Sequence, residues 1–262
     1  MAQRIARLLV FACLCAVAAT WVGAAHAHGV TLKIQHALPE DSAFHSRFLL
    51  PWKEKLEKES NGYLRIQVFP AAATADKPAL YEQVKDRSAD IVWTSVAEGT
   101  RRFPGFEVFN LPLPTHSATG SSRALWEYVQ ANNLARREFS GVRLLAVQLA
   151  PKLLTRGDSA SPATQADLFV LAMNAEAYRS LSDEIKRVIT ANSGAETSAL
   201  LGKIFDDRQA SLPGPKTEIS TATALTQTAI DRRIQELDQR GLDGKELLES
   251  ARALLAQFDP AK

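Results

Sequence analysis

From residue 31 the chain alternates apolar and polar positions, Thr31-Leu32-Lys33-Ile34-Gln35-His36, and the two-residue period predicts a strand. Pro39-Glu40-Asp41-Ser42 supplies a turn and a helix N-cap. Phe44, Phe48, Leu49, Trp52 and Leu56 then fall on one face of a helix that ends before Asn61-Gly62, with Pro51 inside it as an expected kink. Alternation returns over residues 64–69, a second strand. Asp76-Lys77-Pro78 reads as a cap followed by a first-turn proline, with Leu80 and Val84 as the buried face of a short helix. Residues 89–94 read as a third, central strand. Strand–helix–strand–helix–strand over 30–94 predicts a parallel sheet covered by helices. A ligand on such a sheet sits beyond the C-terminal strand ends. Those ends are His36-Ala37-Leu38, Phe69-Pro70 and Trp93-Thr94-Ser95.

The pattern then changes. Residues 101–115 are irregular and punctuated by proline, and Leu125, Tyr128 and Val129 mark a helix from about 121 to 139. Residues 142–149 read as a strand, 152–155 as a short one, 157–165 as a Ser/Ala/Thr-rich loop and 168–173 as a short apolar strand. Everything later is helical. Tyr178, Leu181, Ile185, Val188 and Ile189 recur at helical spacing, and helices follow over about 196–210 and 223–240. A last one carries Leu247, Leu248, Ala251, Leu254, Leu255 and Phe258 on one face. There is no internal repeat.

Charge and composition narrow the function. Basic residues number 31 and acidic ones 29, but Arg4 and Arg7 precede an uncharged run over 8–25 and the small-x-small site Ala25-His26-Ala27. That layout predicts a secretory signal peptide over 1–27. Its removal leaves 29 charges of each sign, which excludes a strongly basic nucleic-acid binder and a polybasic membrane contact. Cys13 and Cys15 both lie in the apolar run, so the exported chain is expected to have neither disulfide nor thiolate metal site.

Catalytic patterns are missing. No Gly-x-Ser-x-Gly elbow, phosphate-binding glycine loop or His-Glu-x-x-His occurs. Of the five histidines, His26, His28, His36, His45 and His116, only His26 and His28 are closely spaced, and they straddle the cleavage site. The carboxylate pairs Asp183-Glu184, Asp206-Asp207 and Glu57–Glu59 lie beside Lys or Arg, as on solvated helix faces. The expectation is a non-enzyme without cofactor or metal.

One set of motifs resembles a known family. Leu32-Lys33-Ile34-Gln35-His36-Ala37-Leu38-Pro39-Glu40-Asp41-Ser42-Ala43-Phe44-His45 is similar to the first strand, turn and helix of TRAP-type transporter solute-binding proteins, the DctP-like family. Pro51-Trp52, Ala89-Asp90-Ile91-Val92-Trp93, Arg102-Phe103-Pro104, Ser122-Arg123-Ala124-Leu125-Trp126-Glu127-Tyr128 and Phe169-Val170-Leu171-Ala172-Met173-Asn174 continue the likeness in the same order. The resemblance implies an α/β, type II periplasmic-binding-protein-like fold. It implies an exported protein that catches an organic acid, such as a C4-dicarboxylate, and delivers it to an ion-gradient-driven membrane permease. The departure is that only residues 158–168 stand where the family has a second α/β lobe with its carboxylate-pairing arginine.

The expected organisation is a signal peptide (1–27), a near-complete first lobe (28–157), a truncated second-lobe remnant (158–173) and a C-terminal helical region (174–262). Residues 30–157 are expected to be the stable unit and 211–230 its least ordered helical neighbour. Partners are a small carboxylate and permease subunits, with no nucleic acid and no membrane insertion. Truncation predicts impaired binding; the alternative is a binding-incompetent exported interaction module. Candidate ligand residues are His36 and Gln148 as polar contacts, Trp93 as an apolar wall, and Arg102 beside Phe103 as a cation next to an aromatic ring.

Overall fold

The computed structural model describes residues 29–70, 79–96, 102–111, 113–150, 167–211 and 227–261. The signal segment, the short strand expected over 152–155, the loop over 157–165 and most of 211–230 lie outside the described residues.

Five strands form one sheet: β1 (Val30–His36), β2 (Leu64–Pro70), β3 (Ile91–Ser95), β4 (Val142–Ala150) and β5 (Asp167–Asn174). Their order is β2-β1-β3-β5-β4. The first three are parallel, as the alternation over 30–94 predicts, with Ile34 opposite Ile91 and Leu32 opposite Ile66. β5 enters antiparallel between β3 and β4, placing Leu171 opposite Trp93 and Ala146. The sheet is therefore mixed, and the boundary expected at 157/158 does not follow it. A segment read as a second-lobe remnant supplies an interior strand of the first sheet.

Side chains alternate to two faces. Val92, Val147, Leu149, Val170 and Ala172 pack into one buried cluster with Phe103, Phe106, Leu125, Tyr128 and Phe139. Leu32, Ile34, Ile91, Trp93, Leu171 and Met173 pack into the other with Phe44, Phe48, Trp52, Leu56, Ile185 and Ile189. A bulge between Leu144 and Ala146 interrupts β4. Leu145 and Ala146 both join the second cluster, so the alternation slips by one and Gln148 follows them to that face. The outer edge of β4 is not left bare: Val147 N–H donates to Ser198 Oγ (3.0 Å) and Leu149 N–H to Ser122 Oγ (3.0 Å).

A π-helical turn, Phe44–Leu49, runs directly into α1 (Leu50–Glu59). Pro51 stands just inside α1, where its missing N–H cannot continue the ladder, and the wider turn precedes it. The expected kink is thus absorbed as a change of helical pitch. α2 (Leu80–Lys85) follows β2, and a 3₁₀ turn, Phe106–Asn110, lies within the stretch read as irregular. The single helix expected over 121–139 is two, α3 (Ala118–Ala131) and α4 (Leu134–Arg137), separated by Asn133 in the left-handed region. The C-terminal helices are α5 (Ala175–Ser180), α6 (Asp183–Ala191), α7 (Ala195–Ser211), α8 (Gln227–Asp238) and α9 (Gly244–Phe258). Their apolar stripes are packed into the two clusters. Ile185, Ile189 and Leu201 join the cluster on one side of the sheet, and Leu247, Leu248, Ala251 and Leu255 join the other, with α9 packed on α3.

Candidate functional site

At the C-terminal edge of the parallel strands, His36 of β1 lies opposite Trp93 of β3, Ser95 of β3 opposite Phe169 of β5, and Phe169 opposite Gln148 of β4. His36, Trp93, Phe169 and Gln148 share the face that the π-helical turn covers. Three of the five expected ligand residues, His36, Trp93 and Gln148, are thus brought onto one wall.

The wall is aromatic at its centre. The Trp93 ring is stacked with two others, Phe44 at 4.5 Å and 15° and Phe169 at 5.3 Å and 6°. Phe44 and Trp93 are buried, whereas Phe169, at the end of the stack, keeps part of its surface open. The π-helical turn explains the crowding. It buries Phe44 with His45 and Phe48 with Leu49, leaving Ser46 and Arg47 to solvent, so adjacent side chains point at the sheet together. Ser42 Oγ accepts the His45 N–H at 3.2 Å and fixes the start of the turn.

His36 is fully buried, and burial together with the adjacent His45 pulls its pKa down to about 4, so it is neutral at pH 7. Its Nε2 lies 2.9 Å from His45 Nδ1, and its ring meets Phe44 edge-on. The Gln148 amide is tied inward, donating from Nε2 to the Leu201 carbonyl at 2.8 Å. Gln148 therefore orders α7 against the sheet rather than presenting a free amide.

Arg102 and Phe103 are elsewhere. Phe103 belongs to the opposite cluster, stacked on Phe139 at 4.7 Å and edge-on to Tyr81. Arg102 is ion-paired with Glu82 and lies over the Tyr81 ring, 5.2 Å from its centroid. The cation-beside-aromatic motif holds the loop after β3 to α2 and lies apart from the wall formed by His36, Trp93, Phe169 and Gln148. Sequence reasoning missed His45, Phe44 and Phe169 as wall residues. His45 and Phe44 stood in the quoted motif, but nothing in a linear pattern marks a π-helical turn. Phe169 carries no local signal that separates it from other strand residues, and its place on the wall follows from the pairing of β5 with β3.

Such a wall can stack on a flat apolar group and offer a hydrogen bond. Among the described residues no group of three or more His, Cys, Asp or Glu side chains could hold a metal ion, and no helix is long and apolar enough to cross a membrane.

Residues 34–150 match the family described as bacterial extracellular solute-binding protein, family 7. Among curated proteins, the outer membrane transporter protein TsaT of Comamonas testosteroni is 26% identical over 139 residues, 53% of this chain, and the match spans 41% of that protein's length. Among solved structures, a TRAP solute-binding protein from Rhodoferax ferrireducens T118 holding copurified benzoate is 26% identical. Its TM-score is 0.73, covering 87% of this chain and 98% of the other. A marine metagenome TRAP solute-binding protein specific for aromatic acid ligands, crystallised with 3-hydroxybenzoate, is 25% identical with a TM-score of 0.73, covering 88% and 99%. Both of these solved structures are of TRAP solute-binding proteins. Over residues 34–150 the sequence thus matches bacterial extracellular solute-binding protein family 7, and over most of its length the chain is similar in fold to TRAP solute-binding proteins.

Proposed function

We propose that this protein is the periplasmic solute-binding component of an ion-gradient-driven TRAP transporter, that it hands its ligand to the membrane permease subunits, and that the ligand is a small aromatic carboxylate. The observation that carries this reading is the near-parallel stack Phe44–Trp93–Phe169, which ends on a partly open ring at the C-terminal edge of the sheet. A benzoate-like ring can extend that stack at a gain of about 0.5–1.5 kcal/mol beyond its buried area. A C4-dicarboxylate would set a second charge against rings and neutral imidazole. The two relatives at 25–26% identity, which hold benzoate and 3-hydroxybenzoate, favour the same class.

The described residues contain a single sheet and hence one wall of a cleft. A ligand covered on one side buries less area and remains open to water, so affinity is reduced relative to a closed two-lobed site. Thermal shift of the purified protein tests the reading. Benzoate and 3-hydroxybenzoate are expected to raise Tm, and succinate to leave it unchanged. The Arg102→Ala variant is expected to bind benzoate within twofold of the parent, because its guanidinium is committed to Glu82 and Tyr81. Stabilisation by succinate alone would reverse the ligand class. No response to any acid would favour the binding-incompetent interaction module instead.

A further inference from the structure

The His36–His45 pair is ordered by its partners. A backbone N–H can only donate, and that of Leu38 donates to His36 Nδ1 at 3.2 Å. His36 is neutral, so its single ring proton is on Nε2. That nitrogen faces His45 Nδ1 at 2.9 Å, which must then be the bare acceptor. With Nδ1 as the acceptor, the ring proton of His45 is placed on its own Nε2. Three groups in series, Leu38 N–H, His36 and His45, point their donors in one direction.

The end of the series is unspent. Among the described residues no side chain or carbonyl accepts from His45 Nε2. Nor is that atom sealed in the core: the fully buried side-chain nitrogens without a partner are Arg123 Nε and Arg143 Nε. His45 borders the stack through Phe44, its neighbour in the chain, and through His36, whose ring centroid is 5.1 Å away. We infer that His45 Nε2–H is the hydrogen-bond donor that this wall offers to the carboxylate of the bound acid, and that His36 is the positioning residue that locks His45 in the donor tautomer. The role that sequence gave to His36 passes one residue outward: His36 points its proton inward, and the adjoining ring carries the contact. This inference rests on the reading of the wall as an acid-binding site.

The test joins imidazole nitrogen NMR to calorimetric titration with benzoate, on the full chain. In ligand-free protein His36 is expected to carry its proton on Nε2 and His45 to leave Nδ1 bare as the acceptor; a His45 proton on Nδ1 would overturn the inference whether or not any acid binds. With benzoate, the His45 Nε2 resonance is expected to move while that of His36 changes little. His45→Phe removes the donor and should weaken benzoate at least tenfold, the loss expected for one hydrogen bond to a charged acceptor. His45→Gln, with an amide N–H at a similar reach, should recover part of it and guards against a folding defect in the first variant. Benzoate binding by the parent that is unchanged in His45→Phe would sink the donor role and leave the proposed function standing. Failure of the parent to bind benzoate would sink both.

Discussion

At the scale of single residues, burial decides the behaviour of groups that look alike in the sequence. Glu138 is one of many helix-end glutamates, yet its carboxylate is tucked under the loop after β3, accepting the Gly105 N–H at 2.5 Å and the Phe106 N–H at 3.3 Å. Those bonds favour the ionised form, but desolvation outweighs them and pushes the pKa up from 4.5 to about 7. Between these two values the folded protein keeps a proton that the unfolded chain has released. Stability therefore falls as pH rises through that window and is level above it. Glu138→Gln keeps an acceptor for Gly105 and has no charge to desolvate. It is expected to raise stability by about 1–3 kcal/mol near pH 8 and to be almost neutral near pH 5. Urea denaturation at the two pH values reads this directly, and an equal effect at both would mean that Glu138 does not titrate in the window. The same lesson applies to the site. Trp93 and His36 were legible as strand-end residues, but which ring would be open and which nitrogen would hold the proton depend on neighbours that the sequence places far away.

At the scale of elements, the chain's pattern fixed the existence of almost every strand and helix, and failed where contact between elements decides. Asp206 and Asp207 read as a solvated pair on α7. Asp207 does pair with Lys203 at 2.8 Å, but Asp206 accepts the Ala118 and Thr119 N–H groups at 2.9 Å each, capping α3 from another helix. Asp259, beyond α9, takes the His116 N–H and the Ser117 and Ser121 hydroxyls at the same helix end. Ser198, Gly202 and Asp206 are spaced by four, so the face of α7 that touches the sheet and α3 is made of small and polar residues that give no apolar stripe. Hydrophobic periodicity could not identify it as an interior face. Gly202 is its tightest point: a Cβ there would stand 2.0 Å from the Ala118 carbonyl oxygen and 2.7 Å from Thr119 Cα. Backbone cannot yield as a side chain tip can. Gly202→Ala is expected to cost about 3 kcal/mol or more by forcing the helices apart. A denaturation midpoint equal to the parent's would show that α3 and α7 do not pack this closely.

At the scale of the whole molecule, the arrangement that sequence could not supply is the path of β5. Periodicity identified the strand, but its direction and place depend on a connection longer than any local signal spans. Once placed, it ties the two halves of the chain together. β3 and β4 have no ladder bonds with each other; both pair with β5. Leu168, Val170, Leu171, Ala172 and Met173 are at most 1% exposed and contribute to both clusters. Burying the large side chains of that strand is worth about 1.5–3 kcal/mol each, and a whole domain has only about 5–15 kcal/mol of net stability. Removing β5 also strips β4, against which α7 packs, of its ladder partner in the sheet. Residues 30–157 are therefore not expected to be a stable unit by themselves, despite carrying four of the five strands. The full chain should unfold in one cooperative urea transition, with amides of residues 170–173 exchanging as slowly as those of 91–93. A fragment ending at residue 157 should show no cooperative transition and no fixed tryptophan environment. A sharp transition in that fragment, with the near-ultraviolet signal of the parent, would restore the first lobe as an independent domain and reduce β5 and the C-terminal helices to an accessory layer.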